Sequence, residues 1–446
     1  MINNFLFIMN HKTFIFTLIK ITYLITCNYI SFPFHRNISK KYMTKDNIIN
    51  ILIENKIYIE LEIGTPIQKI PMFLKLREYI TFITSDSCEN KIIKFFPKDS
   101  SSIKYITEEI KEYPFHCKEG LLISEKITLN KKPIENFNLG LANKLSNNAK
   151  EMSGEIGLKL NKIYNNILEN ATFIQQLKEK KIIDNYSFYL KYTGEDEGEF
   201  IIGNYPHQYN KSYNEQYLKK SKIGASNVFN YPEWEIEFDN IYSGDNDISY
   251  QKIADLYYEY GLIIGTGTYY KDIKDNYFKY LIDNNTCSHT ILMNYFVFVC
   301  DKNLNLNYFP LLSFVLKDLN YNFTFNGFDL FYEFQDSLYF QIIFSRSSSV
   351  RWVFGKQFFK KYQIILDREQ KTFGFYTFIS NNKFNFNFTW IIIFILLILL
   401  IFCVFYIRKI IKGKRKIRAN ELEDNYEYIS NTNEDNRNSN LIFHKE

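Results

Sequence analysis

Two short stretches place charged and phenolic side chains where apolar runs end. In the first, residues 70–74 close on Lys75-Leu76-Arg77. In the second, Ala254-Asp255-Leu-Tyr257-Tyr-Glu259-Tyr-Gly261-Leu-Ile-Ile-Gly265 sets two carboxylates and several phenols into an apolar segment. Residues of these types could do proton chemistry. Two carboxylates facing each other share one proton, and one then serves as general base on a water while the other protonates a carbonyl oxygen. Asp255 or Glu259 could supply one such acid. Lys75 is a cation with no acceptor while protonated, and a tyrosine such as Tyr257 has an ordinary pKa of about 10, so neither supplies the second. A Lys75 deprotonated by burial could act as a base. The plainer alternative is a salt bridge between Lys75 and Glu259 that locks two parts of the chain together.

The elements that must carry these residues are readable from periodicity. Residues 57–88 read as strand, turn, strand. Alternating Ile57, Ile59, Leu61 and Ile63 suit a strand with one buried face. Gly64-Thr65-Pro66 supplies turn chemistry, and the next apolar run delivers Lys75. Further along come Gly154-Glu-Ile-Gly157-Leu158, a helical spacing at Phe173, Ile174 and Leu177 that runs into a strand, and Gly198-Glu-Phe-Ile-Ile-Gly203. The second half offers Trp234-Glu-Ile-Glu-Phe-Asp-Asn-Ile241, then Phe309-Pro310 before an apolar strand. It ends on Trp352-Val-Phe-Gly355 followed by Phe358 and Tyr362, Ile365-Leu-Asp367-Arg368 and Phe373-Gly374-Phe375.

Taken in order, these stretches resemble the pepsin-like aspartic proteases over residues 57–376, and within that family the plasmepsin branch. The resemblance implies a mainly β, bilobal fold with an internal pseudo-twofold, and peptide hydrolysis by two aspartates, one in each Asp-Thr-Gly motif. Both motifs are degenerate here. Lys75 falls where the first aspartate belongs and Tyr257 where the second does; Leu76-Arg77 and Tyr258-Glu259 replace the Thr and Gly that follow. Tyr113, seven residues before Gly120, matches the tyrosine of the family's flap hairpin, with Pro114 and His116 where supple glycines are usual. Tyr113, Arg77 and Glu259 are thus the peptide-cleft candidates, and no catalytic residue of the family is present. The implied lobes are 57–210 and 211–380. The expectation is a pseudoprotease whose cleft binds a peptide or protein without cutting it. The alternatives are an active endopeptidase using Asp255 or Glu259 as a displaced acid, and a structural or sorting membrane protein.

At 446 residues the chain exceeds the usual single-core size. Its net charge of +5 is modest, and it has no basic helix, zinc-ligand spacing or phosphate-cradling glycine loop. No nucleic-acid, nucleotide, metal or cofactor partner is expected. Residues 1–30 read as a signal peptide or an uncleaved hydrophobic anchor, and 31–56 as a short basic leader. Residues 390–407 are apolar and uncharged, and a basic block follows at once. That reads as a transmembrane helix over 388–407 with a cytosolic tail at 408–446. The tail is polar and expected to be disordered, with Tyr426-Glu-Tyr-Ile429 as a candidate sorting signal. The expected location is the secretory pathway or cell surface, as a single-pass type I protein. Of six cysteines, Cys27 and Cys403 fall in the apolar ends. Cys88, Cys117, Cys287 and Cys300 remain, and the expected pairs are Cys287–Cys300, closing one short loop, and Cys88–Cys117. Six Asn-X-Ser/Thr triplets, at Asn37, Asn170, Asn210, Asn284, Asn322 and Asn387, match glycosylation acceptors.

Overall fold

The computed structural model describes residues 28–36, 48–88, 93–111, 117–146, 152–160, 172–224, 234–292, 295–346, 351–379 and 403–412. The chain separates into two compact units, Met1–Ile379 and Ser380–Glu446. In the first, strand formation follows the alternation read from sequence. Ile57, Ile59, Leu61 and Ile63 are buried along the strand Ile57–Ile63, while Tyr58, Glu60 and Glu62 lie on its outer face. The antiparallel partner Gln68–Lys75 sets Leu61 against Ile70 and Tyr58 against Phe73.

Among the described residues three sheets are formed, of thirteen, nine and four strands. The two larger ones contain the same local plan twice. Gln68–Lys75 runs parallel to Gly154–Gly157, which is antiparallel to Phe82–Thr84, which is in turn parallel to Lys132–Leu145. In the second half, Ile253–Leu256 runs parallel to Trp352–Phe354, itself antiparallel to Ile263–Gly265, which is parallel to Ile342–Ser345. The internal repeat expected from sequence is therefore present in the strand pairing, and the fold is mainly β and consistent with a bilobal pepsin-like body.

Aromatic packing fills the second half of the body. Trp352 is fully buried with its indole edge-on to Phe314 at 5.0 Å, and Phe278 stacks on Phe298 at 3.9 Å. Offset and edge-on ring pairs of this kind stabilise a core beyond the area they bury. Cys287 and Cys300 face each other across two antiparallel strands and are disulfide-bonded. The expected Cys88–Cys117 pair is not formed. Cys88 is a buried free thiol that donates to the Ala142 carbonyl at 3.3 Å.

Three boundaries differ from expectation. Asn28 already belongs to the body, its amide donating to the Asp184 carboxylate at 2.9 Å, so a hydrophobic segment reaching residue 30 is too long. The stretch expected as a leader is structural. Ile30–Arg36 is a central strand of the thirteen-stranded sheet, paired on one side with Glu197–Ile202 and on the other with Ile57–Ile63. The helix Ile48–Ile53 follows, with Ile48, Leu52 and Ile53 buried. Arg36 holds it by donating to the carbonyls of Ile51 and Glu54 at 2.7 and 2.9 Å. Alternating Ile30, Phe32 and Phe34 carry the strand signal, which the flanking basic residues obscured. Nor do the lobes divide cleanly at residue 210, because Ile365–Asp367 pairs with Ser187–Tyr192 and Thr372–Tyr376 carries Leu218–Lys222 into the same sheet.

In the second unit, residues 403–412 are helical and exposed. The expected membrane span falls largely on residues outside those described, as do Tyr113, the region up to residue 27 and the 413–446 tail. Among the described residues no helix is long and apolar enough to cross a membrane.

Candidate functional site

The repeated strand plan carries two loops to one place. Each loop leaves a strand whose parallel neighbour has a glycine at or just past its end, Gly157 or Gly355, and each glycine is needed for close approach. A Cβ on Gly157 would lie 2.3 Å from the Tyr79 carbonyl carbon, and one on Gly355 would lie 2.2 Å from the Tyr260 oxygen. Backbone bonds then fix both loops: Leu158 donates to Lys75 at 2.8 Å and Lys159 to Glu78 at 2.9 Å, while Tyr257 donates to Phe354 at 3.0 Å and Lys356 to Tyr260 at 2.8 Å.

Where the loops meet they line a cavity of about 300 Å³. The first loop contributes Lys75, Arg77 and Glu78, and the second contributes Tyr257, Glu259 and Tyr260. Ile53 and Glu54 complete the wall. This third wall comes from the segment expected as a leader, and it is stitched to the second loop. Asn55 donates its amide to Glu259 at 2.8 Å and its side chain to the Tyr258 carbonyl at 2.6 Å, and Gly261 donates to Ile53 at 2.9 Å. Across the cavity the Arg77 guanidinium lies 4.8 Å over the Tyr257 ring, a cation–π contact linking the two loops.

Charge in the cavity is layered. Arg77 is exposed and Lys75 half-buried, whereas Glu78 is only 5% exposed and Glu259 Oε2 is shielded from solvent with no hydrogen-bond partner. Burial, followed by repulsion from Glu155 and Glu259, pushes the Glu78 carboxyl up to about 8 against the opposing pull of Lys75 and Lys159. Burial also raises Glu259, opposed by Lys75 and Arg77 and reinforced by Glu155. Glu155 itself is buried in the strand Gly154–Gly157, opposite Phe73 and Phe82. The expected Lys75–Glu259 salt bridge is not formed among the described residues, and Lys75 acts on Glu259 only through its field.

Lys75, Arg77, Tyr257 and Glu259, four of the residues singled out by sequence, are thus brought together. Asp255 is not among the lining residues. Its strand turns it toward Arg351, which bonds Asp255 Oδ1 at 3.2 Å and the buried Glu235 at 2.7 Å. Tyr257 OH reaches Asp255 Oδ2 at 3.5 Å, so that phenol connects Asp255 to the site. Glu78 and Glu155 were missed by sequence reasoning. For Glu78 a signal existed: it shares i, i+2 parity with Leu76, Ile80 and Phe82, all buried. Glu155 sits in a short strand buried on both faces, where alternation says nothing. Chemically, the site brings two cations, Lys75 and Arg77, together with two carboxyls whose pKa burial raises. Among the described residues no group of three or more ligating side chains could hold a metal.

No match is found among curated proteins. The family model for eukaryotic aspartyl protease matches residues 56–378, which takes in both loops, both crossing strands and the whole paired-sheet repeat. This chain belongs to the eukaryotic aspartyl protease family.

Proposed function

We propose that this family member is a membrane-anchored pseudoprotease whose cleft binds peptide or protein without hydrolysing it. One observation carries the reading. The two symmetry-related loop positions at the cavity hold Lys75 and Tyr257, with the Arg77 guanidinium 4.8 Å over the Tyr257 ring. The family chemistry implied by the resemblance needs two carboxylates sharing one proton at those positions, and a cation and a phenol cannot replace them. Anchoring rests on the apolar run before residue 408 and its basic flank. The Cys287–Cys300 disulfide supports an oxidising compartment for the body, as the secretory reading requires.

A second reading is favoured by a specific feature. Glu78 and Glu259 line the same cavity, and both carboxyls are raised. A displaced acid would therefore be Glu259 working with Glu78. Asp255 is unsuited, being held by Arg351 outside the cavity. Incubating the full chain in detergent with a mixed peptide library separates the readings: retention of intact peptides supports the binding cleft, cleavage supports the displaced acids, and neither outcome favours a structural or sorting role.

A further inference from the structure

The outer strands of the three sheets are guarded unevenly. An unpaired strand edge invites another strand, and a charge, a proline, a bulge or a covering group on it opposes that pairing. Among the described residues most outer strands carry charge. Leu218–Lys222 has three lysines, and Lys104–Lys111 has two lysines and two glutamates. Glu235–Glu237 and Phe331–Phe334 carry glutamate, and Asn246–Asp247 an aspartate. Two outer strands carry no charge, Cys287–Leu292 and Tyr321–Phe325. Each has a glycosylation triplet at hand: Asn284-Asn-Thr286 leads directly into the first, and Asn322-Phe-Thr324 lies within the second.

The open edge of Cys287–Leu292 follows from its register. Cys287 and Cys300 oppose each other with Cα atoms 4.0 Å apart, the close spacing of a pair that exchanges no backbone hydrogen bonds. His289 and Ile291 share that parity, so their N–H and C=O groups turn away from the partner strand. Ser288 to Ile291 are exposed, and the pairing runs without a bulge. On Tyr321–Phe325 the Tyr362 hydroxyl already caps part of the edge, accepting from the Thr324 N–H and donating to its carbonyl, both at 2.6 Å. Asn322, of the same parity as Thr324, is the position left to guard. Asn284 and Asn322 are both exposed. Asn284 closes the helix Lys279–Asp283 at an ordinary φ of −90°, its N–H bonded to the Tyr280 carbonyl at 3.1 Å, so backbone bonds hold that turn. Asn210, in the other described triplet, is half-buried and accepts from the Ser212 N–H at 3.0 Å. We propose that Asn284 and Asn322 carry N-linked glycans, and that these bulky, solubilising groups guard the two uncharged edges against pairing with a second copy of the chain. Transfer joins the asparagine Nδ2 to the anomeric carbon of an oligosaccharide as that carbon's bond to a lipid diphosphate breaks. The amide gives up one proton, and the lipid diphosphate leaves with the bonding electrons.

This inference rests on the secretory part of the proposed function, because the transfer takes place in that pathway, and its test separates the two. The full chain is produced in a glycosylating eukaryotic host, extracted in detergent and digested. Amidase treatment in heavy-oxygen water then turns each glycosylated asparagine into a labelled aspartate, read by mass spectrometry. Label at Asn284 and Asn322 is the expected result. An unlabelled Asn284 or Asn322 beside label at any other triplet would overturn the inference and leave the secretory reading standing. No label at any triplet would overturn both. The guarding role is read by light scattering of the full chain in detergent. Asn284→Gln should roughly double the protein mass of the monomer through an isologous edge pairing. Adding Ile291→Lys, which puts a charge on that edge, should restore the monomer. Trimming the glycans of folded wild type with an endoglycosidase should raise the mass in the same way and needs no variant to fold. Unchanged mass after trimming, or a rise that Ile291→Lys does not reverse, would overturn the guarding role.

Discussion

Replacing Glu78 by Gln should make the protein more stable at alkaline pH and leave it nearly unchanged in acid. Glu78 is buried beneath Lys75 and Arg77, and its carboxyl is raised from 4.5 to about 8, chiefly by burial and then by Glu155 and Glu259. An acid raised in the folded state favours folding while it is protonated in both states. As pH rises above 4.5 the unfolded chain releases the proton and the folded chain keeps it, so stability falls until about 8 and then levels. Each pH unit corresponds to about 1.4 kcal/mol, which sets an upper bound of about 5 kcal/mol for the loss. Sharing of the proton with its neighbours lowers that figure, and an effect of about 2–4 kcal/mol is the working expectation. Gln keeps the shape and can donate and accept, but it has no proton to lose. Urea unfolding of wild type and Glu78→Gln, measured from pH 4.5 to 9, should give curves that coincide at the acid end and diverge toward pH 8, with the variant on top. Parallel curves across the range would refute the argument and place Glu78 in a solvated or ion-paired setting.

Other consequences can be checked independently. Arg351→Ala leaves the buried Glu235 and the partly buried Asp255 without their shared cation, and should cost about 3 kcal/mol in urea unfolding; an unchanged midpoint would show that the pairing contributes nothing. The disulfide joins residues 13 apart, so Cys287→Ser with Cys300→Ser should destabilise by about 3 kcal/mol, read as a lower thermal midpoint that reducing agent cannot lower further. Asn55→Ala removes the side-chain bond to Tyr258 that holds the third cavity wall, at a cost of about 1 kcal/mol. Faster amide exchange at Gly261, whose N–H bonds Ile53, should accompany it.

Much of the scaffold was legible because its signals are local. The Ile57–Ile63 alternation, the paired glycines at 157 and 355 and the helical spacing at Phe173, Ile174 and Leu177 each fix a neighbouring contact, and each is found in place. Three features were not legible, for distinct physical reasons. The strand Ile30–Arg36 lies among basic residues that masked its alternation, and its partners Glu197–Ile202 are far away in sequence. Asp255 could be ranked as a displaced acid only while the direction of its side chain was unknown; its capture by Arg351, distant in sequence, decides otherwise. The carboxyls of Glu78 and Glu155 read as solvated charges, since burial of an acid depends on packing from several elements at once. At the cavity itself, the four residues singled out by sequence, Lys75, Arg77, Tyr257 and Glu259, line one wall system, but their contacts differ from those expected. Sequence suggested a Lys75–Glu259 bridge, where the structure has a cation–π contact between Arg77 and Tyr257.

The claim that binding has outlived hydrolysis is tested most directly by turnover. The full chain in detergent should be incubated with an unbiased peptide library between pH 4 and 8, with mass spectrometry reading new termini and a transition-state-like aspartic-protease inhibitor as control. The account expects no cleavage above the level of a heat-denatured sample at any pH, and no effect of the inhibitor. Inhibitor-sensitive cleavage by the wild type that disappears in Glu259→Ala or Glu78→Ala would contradict it and make those carboxyls the working acids.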